Sequence, residues 1–358
     1  MAWTSRPEIA LLRDLVAIPS VSGTEEGIAR WVVEWAEAAG LTASRDDAAV
    51  ALTVPGRAAG PTLAFVSHLD TVPAGEGWSR PPFAATLEGD RLYGRGSGDA
   101  KASVAAMLLA ARDLAEAGGP ARGRLLVILG YEEETKHTTM GAAVERLGSI
   151  DAAVVGEPTN LEPAIAQRGL MMADLVARGV QRHAGYAADN PDFTNAIVEL
   201  GRNVAKLPAL FRDRVHPILG IATATPTMLE GGVSRNVTPP VARAVLDVRS
   251  TPNWTHAELA DALRAALDVE VVITSDRLVP CETPPGSRLL ALAQAIRPEG
   301  KPFGSPTCSD WVFLRDRDAI KCGPGTSRRS HTPDEYVDLP EVSAARDFYR
   351  HLAQAYLA

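Results

Sequence analysis

The stretch TLAFVSHLDTVP, residues 62–73, joins a short apolar run to an imidazole and a carboxylate that stand two residues apart. The run from Leu63 to Val66 predicts a buried strand. Alternate residues of an extended chain point to the same face, so His68 and Asp70 would leave the end of this strand side by side. An imidazole that binds a metal through one nitrogen usually donates its other N–H to such an acceptor. A pair of this kind is more often a structural hydrogen bond, so the metal interpretation depends on the rest of the chain.

The same arrangement recurs at the ends of the neighbouring predicted strands. The residues concerned are Asp99 after 91–93, Glu132 to Glu134 after 124–131, and Glu157 after 152–155. Strands alternate here with helices, one of which opens on a capping-box pattern, Ser22 with Glu25. This alternation predicts the α/β class, with a doubly wound, mostly parallel sheet. Ligands of such sheets bind beyond the carboxyl ends of the strands, so we expect the polar residues to converge on one edge.

The chain of 358 residues exceeds the size at which a single core usually stops growing, which predicts two domains. The sheet domain would occupy residues 1–168. From about Gly169 the pattern changes to strand, helix, two strands, helix and strand, which predicts a smaller α+β insertion over 169–277. The first domain would then resume over 278–358.

The composition excludes several classes of partner. A formal net charge of −8 leaves no basic footprint for nucleic acid or for an anionic membrane. No apolar run reaches the length of a bilayer span, and no leader-like segment opens the chain, so we expect a cytoplasmic protein. Three cysteines without C-x-x-C spacing indicate neither a disulfide framework nor a thiolate zinc site. Any metal must therefore be held by histidine and carboxylate.

The candidate ligands are two histidines and several carboxylates, a set that suits a catalytic zinc, manganese or cobalt ion. Three adjacent glutamates after a buried strand repel one another unless a cation neutralises them. One of them can bind the metal while its neighbour stays free to act as a base. A dinucleotide site is disfavoured, because Asp99 stands where the third glycine of the GRGSGD stretch should be. The G-x-S-x-G elbow of a serine hydrolase is absent.

Six motifs in order resemble the M20 family of two-metal amidases and peptidases over nearly the whole chain. They are SHLDTVP, YGRGSGDAKAS, GYEEE, VVGEPT, the G-x-x-x-H of Gly179 to His183, and GPGTSRRSHTPDEYV. The stretches GEPTNLEPAIAQRGL and GSPTCSDW are most similar to the acetylornithine deacetylase branch. The resemblance implies that the insertion is a ferredoxin-like lid that also mediates a homodimer.

The resemblance also implies a site with two divalent ions, zinc first, with cobalt or manganese as alternatives. His68 and Glu157 would hold one ion, Glu134 and His331 the other, and Asp99 would bridge them. A shared carboxylate suits two ions that together activate water and polarise an amide carbonyl. Glu133 would be the general base, and Asp70 would orient His68.

The substrate-binding residues follow from the same resemblance. His183 would reach the partner's site and stabilise the oxyanion, although a surface or core histidine is the alternative. Arg249 would hold the substrate carboxylate, although it could equally be a strand-end charge pair. Asn236, Arg168 and Gly323 would complete the substrate site.

Two departures from the family pattern concern the glutamate run. The position before Glu133 is usually aspartate and is Glu132 here, so the base and the ligand could slip to Glu132 and Glu133. The stretch that follows is longer than usual and contains His137, which could face the substrate or solvent. We prefer Glu133 as the base.

The activity implied is hydrolysis of an N-acyl amino acid, with N-acetyl-L-ornithine as the preferred substrate in arginine biosynthesis. The ornithine ammonium would favour a carboxylate such as Asp310. The alternatives are acetylcitrulline, succinylornithine or acyl-lysine, and a dipeptidase or carboxypeptidase of the same family. A protein that keeps the fold and binds metal without turnover is an alternative of a different class.

Overall fold

A computed structural model describes residues 3–189 and 193–358. The chain forms two compact units. The first comprises Met1–Ile165, Thr283–Phe303 and Ser309–Ala358, and the second comprises Ala166–Glu282 and Gly304–Cys308. These bounds differ from the boundaries predicted at 168/169 and 277/278, and no feature of the sequence indicated that residues 304–308 belong with the second unit. The lid and dimerisation roles of the insertion stay predictions.

The elements are numbered in chain order. The described α-helices are α1 Pro7–Ala17, α2 Glu26–Ala38, α3 Lys101–Glu116, α4 Thr139–Leu147, α5 Ala196–Val204, α6 His256–Ala266, α7 Arg288–Ile296 and α8 Leu339–Tyr356. The strands are β1 Thr42–Arg45, β2 Ala49–Pro55, β3 Thr62–His68, β4 Thr86–Glu88, β5 Arg91–Tyr93, β6 Arg124–Gly130, β7 Ala152–Val155, β8 Ala164–Gln167, β9 Gly169–Arg178, β10 Thr223–Gly231, β11 Val241–Ser250, β12 Glu270–Leu278, β13 Cys281–Glu282, β14 Phe303–Ser305, β15 Asp318–Lys321 and β16 Tyr336–Asp338. Short 3₁₀ helices lie at Trp3–Ser5, Ala184–Asp189, Leu207–Ala209 and Asp310–Leu314.

The main sheet of the first unit runs in the order β1-β2-β6-β3-β7-β15. Its four strands β6, β3, β7 and β15 are parallel, and β1 and β2 flank them in antiparallel pairing. Strand β8 continues the order and carries the chain into the second unit, within which β13 pairs with it. A separate three-stranded sheet of the first unit has the strand order β16-β5-β4. The predicted α/β class with a mostly parallel sheet is confirmed.

The central strands are buried on both faces, as their continuous apolar runs predict. Every residue of β3 and β7 is buried, and β6 is buried from Leu125 onward. One face packs into a core that includes Leu63 and Phe65 together with helices α1, α3, α7 and α8. The alternating residues Ala64 and Val66 are also fully buried. Because both faces of the central strands are covered, polar groups that follow the strands can reach solvent at the strand ends.

The strand register brings those ends level. His68 of β3 pairs with Gly130 of β6, and Val66 pairs with Val155 of β7. The residues that follow each strand therefore leave the sheet at the same edge. This edge is where the sequence predicted the ligands to converge.

The second unit carries a four-stranded antiparallel sheet in the order β10-β11-β9-β12. Alternate residues of β9 and β11 pack with α5 and α6 in one apolar core. The chain order of strand, helix, two strands, helix and strand gives the ferredoxin-like arrangement that the resemblance implied.

One predicted helix start is wrong. Helix α2 begins at Glu26 with Glu25 as its N-cap residue, and that cap makes no side-chain hydrogen bond. Ser22 lies farther upstream, where its hydroxyl donates instead to Asp70. No helix in residues 3–189 and 193–358 is long and apolar enough to cross a membrane.

Candidate metal centre and active site

His68 ends β3 with its imidazole almost fully buried, at 1% exposure. Its Nδ1 lies 3.0 Å from the carbonyl oxygen of Asp70 and 3.3 Å from Oδ1 of the same residue. Its Nε2 lies 3.4 Å from Asp99 Oδ1 and 3.8 Å from Glu157 Oε1. Both His68 Nε2 and Glu157 Oε1 are buried without a hydrogen-bond partner. Buried polar atoms are normally satisfied, so these two indicate that a further group belongs between them.

Asp99 lies between two histidines. Its Oδ1 faces His68, and its Oδ2 lies 3.8 Å from His331 Nε2. The same His331 nitrogen is 2.8 Å from Glu134 Oε2. Ligand atoms of His68, Asp99 and Glu134 all lie within 4.8 Å of one another. Two groups of candidate ligands thus share one carboxylate, an arrangement that suits a pair of cations.

Asp70 ties the end of β3 to the loop after β6. It accepts hydrogen bonds from the backbone N–H groups of Glu133 and Glu134, each 3.1 Å long, and from Ser22 Oγ at 2.7 Å. One fully buried carboxylate therefore orients the imidazole of His68 and fixes the glutamate run. This second task was not predicted from the sequence.

The three adjacent glutamates point to three different partners. Glu132 has a φ of +54° and accepts from Lys136 Nζ at 3.0 Å. Glu133 Oε1 lies 2.9 Å from His137 Nε2, and Glu134 contacts His331. The left-handed backbone at Glu132 separates its side chain from the other two. Glu133 and Glu134 are the two that face the cluster.

The electrostatics of the cluster show an excess of negative charge. Burial raises the pKa of Glu157 well above its usual value, and the neighbouring charges of Glu133 and Asp99 raise it further. Burial also raises the pKa of Glu134 to about 7, although a hydrogen bond from His331 opposes the shift. Burial would lower the pKa of His68, yet its hydrogen bonds to Asp70 and Asp99 raise it well above the usual value. The raised pKa values mean that these carboxyl and imidazole groups bind protons readily. Divalent cations bind the same donor atoms and would replace those protons.

The loop that presents Asp99 is held by Glu335. This buried carboxylate accepts from the backbone N–H groups of Gly96, Gly98 and Asp99, and it pairs with Arg95 at 2.7 Å. Gly96 has a φ of +79°, and an added Cβ there would lie 2.5 Å from Thr71 Cγ2. Glu335 was missed in the sequence, where its only signal is its place four residues after His331 in the SHTPDEY motif.

Two other predicted residues of the first unit lie close to the cluster. An added Cβ at Gly323 would come within 2.6 Å of the Glu157 carbonyl oxygen, so only glycine fits beside that ligand. Asp310 is buried at 2% exposure, and burial together with the charge of Glu133 raises its pKa to about 7. Their contact with substrate stays a prediction.

The remaining predicted residues belong to the second unit, where they form two pairs. Arg249 donates to both carboxylate oxygens of Asp247, and burial and the nearby charge of Arg249 lower the pKa of Arg168. The loop of His183 pairs with that of Asn236, since Ala184 N donates to the Asn236 carbonyl at 2.7 Å. The side chain of His183 is exposed. The predicted alternative for Arg249, a charge pair at a strand end, is therefore present, and its substrate role stays a prediction.

Comparison with known proteins gives consistent matches along the chain. The model of peptidase family M20/M25/M40 matches residues 64–355. The succinyl-diaminopimelate desuccinylase of Cereibacter sphaeroides is 29% identical, over 98% of this chain and 99% of that protein. The enzyme of the same name from Novosphingobium aromaticivorans is 32% identical, over 83% and 82% of the two chains.

Solved structures of low sequence identity share the fold. The M20 family metallo-carboxypeptidase Sso-CP2 from Sulfolobus solfataricus gives a TM-score of 0.80 at 20% identity, covering 98% of this chain and 99% of that one. The YXEP protein of Bacillus subtilis, a dinuclear metal-binding peptidase from the M20 family, gives 0.77 at 18% identity, covering 99% of each chain.

Proposed function

The chain belongs to peptidase family M20/M25/M40 and is a metal-dependent hydrolase of amide bonds, and on that premise we propose that it removes the acyl group from an N-acyl amino acid. The observation that carries the proposal is Asp99, whose two oxygens face His68 and His331, with the charge of Glu133 close to His68. Such an arrangement suits hydrolysis of an unactivated amide, which needs both an activated water and a polarised carbonyl.

His68 and Glu157 would hold one ion, His331 and Glu134 the other, and Asp99 would bridge. The unpartnered atoms His68 Nε2 and Glu157 Oε1 support the first group, and the 2.8 Å contact of His331 with Glu134 supports the second. When bound, two such ions supply Lewis acidity to the amide carbonyl and to the attacking water. Zinc is the first candidate for this donor set, with cobalt or manganese as alternatives.

Glu133 is the proposed general base. It would take one proton from the attacking water and return it to the leaving nitrogen as the C–N bond breaks. The alternative register, with Glu132 as the base, is disfavoured because the Glu132 carboxylate is engaged by Lys136 and Thr138. Glu134, rather than Glu133, contacts the histidine of the second ligand group.

The arginines of the second unit guide the choice of substrate. A guanidinium can hold a carboxylate by paired hydrogen bonds, so Arg249 would bind the α-carboxylate in place of Asp247. N-acetyl-L-ornithine is the first candidate, because the stretches GEPTNLEPAIAQRGL and GSPTCSDW resemble the acetylornithine deacetylase branch. N-succinyl-diaminopimelate is the second, since several relatives carry that activity in their names. The Arg168 guanidinium, close to Arg249, donates to the carbonyls of Ile221 and Leu219, and its remaining N–H groups could receive an additional carboxylate.

A substrate panel tests the proposal. The kcat/KM values of the metal-loaded chain would be compared for N-acetyl-L-ornithine, N-succinyl-L-ornithine, N-succinyl-diaminopimelate, N-acetyl-L-citrulline and an unacylated dipeptide. We expect an acylated amino acid to be preferred, and the chelator-treated chain to be inactive. Preference for the dipeptide would overturn the deacylase assignment, and two bound ions without any turnover would favour the non-catalytic alternative.

We also propose that the chain forms a homodimer in the cytoplasm through its second unit. Strand β10 is an edge strand, and its Met228 and Leu229 are 54% and 64% exposed. A groove of about 280 Å³ runs between β10 and α5 and is lined by Ile197, Leu200 and Leu229. An exposed apolar edge of this kind is normally covered in a soluble assembly. His183 would then be supplied to the partner's site as an oxyanion donor.

A further inference from the structure

His137 has no place in the mechanism described so far. It lies on the loop between β6 and α4, and its side chain is only 12% exposed. Its Nε2 is 2.9 Å from Glu133 Oε1. The imidazole therefore points inward to the proposed base and not to solvent.

The backbone at His137 is also unusual. Its φ is +46°, in the left-handed region that residues other than glycine rarely adopt. The turn is held by the His137 N–H, which donates to the Glu132 carbonyl at 3.0 Å. Left-handed residues of this type persist where the surroundings determine them and are common at functional sites.

The charges around the ring favour its role as a hydrogen-bond donor. Asp310 is buried, and its Oδ2 has no hydrogen-bond partner. Burial would lower the pKa of His137, yet the charges of Glu133 and Asp310 raise it. An imidazole near two carboxylates donates its N–H to an oxygen, here Oε1 of Glu133.

Glu133 needs such an anchor. Its side chain is nearly buried, at 8% exposure, and the hydrogen bond from His137 is made to its Oε1. That bond limits the rotamers that the Glu133 carboxylate can adopt. A hydrogen bond to one oxygen holds the carboxylate and leaves the other oxygen for the attacking water.

We propose that His137 is a positioning residue that holds Glu133 in place for proton transfer through its Nε2 hydrogen bond to Oε1. This role rests on the proposed function, because it requires Glu133 to be the base. It assigns a task to the longer loop between Glu134 and Gly141, which departs from the family pattern.

Three single variants test the role: His137→Ala, His137→Gln and, as a control on the same loop, Lys136→Ala. We expect His137→Ala to lower kcat by about 10- to 100-fold with little change in KM, since misplacing a catalytic group has effects of this size. The amide of His137→Gln can reach Glu133 with an N–H donor and should recover most of the loss. All three variants should keep two ions per chain and the unfolding temperature of the parent chain, and Lys136→Ala should keep its kcat.

The double variant Glu133→Gln/His137→Ala separates positioning from a merely structural effect. Residues that act as a unit are not additive, so adding His137→Ala to Glu133→Gln should cost little further kcat. An additive loss, an unchanged kcat in His137→Ala, or a change confined to KM would overturn the positioning role. Equal loss of metal or stability in the Ala and Gln variants would also overturn it. Full turnover by Glu133→Gln would overturn Glu133 as the base and the positioning role with it, whereas absence of acyl-amino-acid hydrolysis by the parent chain would overturn the proposed function.

Discussion

At the scale of single residues, three consecutive glutamates of this site contact different partners. Glu132, Glu133 and Glu134 are chemically identical, yet they face Lys136, the half-buried His137 and His331 respectively. The difference arises from the left-handed backbone at Glu132 and from the two N–H groups that Asp70 fixes. Backbone conformation therefore decides which of the three carboxylates face the cluster.

Glu133→Gln should keep the fold and both ions but lose about 10²- to 10⁴-fold in kcat, the usual cost of removing a general base. Glu132→Gln is the matched control, since its side chain contacts Lys136 outside the cluster, and it should keep nearly full activity. Steady-state kinetics and elemental analysis of both variants check this. Metal loss in Glu133→Gln with catalytic loss in Glu132→Gln would establish the alternative register.

Asp99→Ala should reduce the binding of both ions, because each oxygen of this carboxylate faces a different histidine. Glu157→Ala is the comparison, since Glu157 belongs to the ligand group of His68 and its loss should affect one ion. Metal content per chain after dialysis measures the difference. Two ions retained by Asp99→Ala would contradict the bridging role.

Metal binding should weaken as the pH falls through about 7. The pKa of Glu134 is raised to about 7, and that of Glu157 is raised too, so in the metal-free chain these carboxyls bind protons at neutral pH. An entering cation must displace those protons, and lower pH strengthens the competition. Calorimetry near pH 6.5 in two buffers of different ionisation enthalpy should show proton release on metal binding. Affinity that is independent of pH between about 6 and 8 would contradict the assigned ligands.

At the scale of elements, the strands that carry the site were predictable and the loops were only partly so. Strands β3 and β6 are buried, as their apolar runs predicted. A strand buried on both faces is recognisable because its apolar residues are continuous along the sequence. The capping box at Ser22 was wrong, because the hydroxyl is used by Asp70. Short polar residues bind whichever donor or acceptor the tertiary structure brings near, and local spacing does not reveal that choice.

The same limit applies to Glu335 and His331. Both lie on the loop before β16, more than two hundred residues after β3 in the chain, so no local pattern joins them to His68. Resemblance alone supplied His331, and Glu335 was missed. A carboxylate that acts by accepting backbone N–H groups has no distinctive neighbours in the sequence.

Glu335→Gln should weaken both metal binding and stability. The carboxylate accepts from three backbone N–H groups of the Asp99 loop and pairs with buried Arg95, so the amide would leave Arg95 without its counter-charge. Breaking a buried ion pair from one side costs about 3–5 kcal/mol. Denaturant unfolding and metal content measure the loss. As a control, Asp347→Asn removes an exposed ion pair with Arg350 and should cost less than about 1 kcal/mol. An equal effect of the two changes would contradict the role of Glu335 in holding the Asp99 loop.

At the scale of the whole molecule, the α/β class and the ferredoxin-like insertion follow from the order of elements, and the comparisons confirm the family. Substrate choice does not follow in the same way. It depends on the side chains that surround one ligand, and the proteins that this chain is similar to include both a succinyl-diaminopimelate desuccinylase and a metallo-carboxypeptidase. Arg249 lies in β11 and Arg168 lies between β8 and β9, and neither is distinctive in the sequence until their proximity is seen.

The exposed apolar surface of the second unit predicts that the chain forms a dimer. Leu229→Glu on edge strand β10 places a charge in the apolar groove beside α5 and should shift the chain from dimer to monomer. Val272→Glu is the matched control, because Val272 is an exposed apolar residue on β12, the opposite edge of the same sheet. Sedimentation equilibrium distinguishes the two, and equal masses for both variants would contradict an interface at β10.

The position of His183 in the assembly can then be tested by mixing two inactive chains. In a dimer of His183→Ala with Glu133→Gln, a donor supplied from the partner restores one complete site, with Glu133 from the first chain and His183 from the second. Random exchange makes half of the dimers mixed, so about a quarter of all sites should recover if the partner supplies His183. Recovery should disappear when both chains also carry Leu229→Glu, because they can no longer pair. Exchanged dimers that stay inactive would show that His183 acts within its own chain, since neither chain then holds both residues.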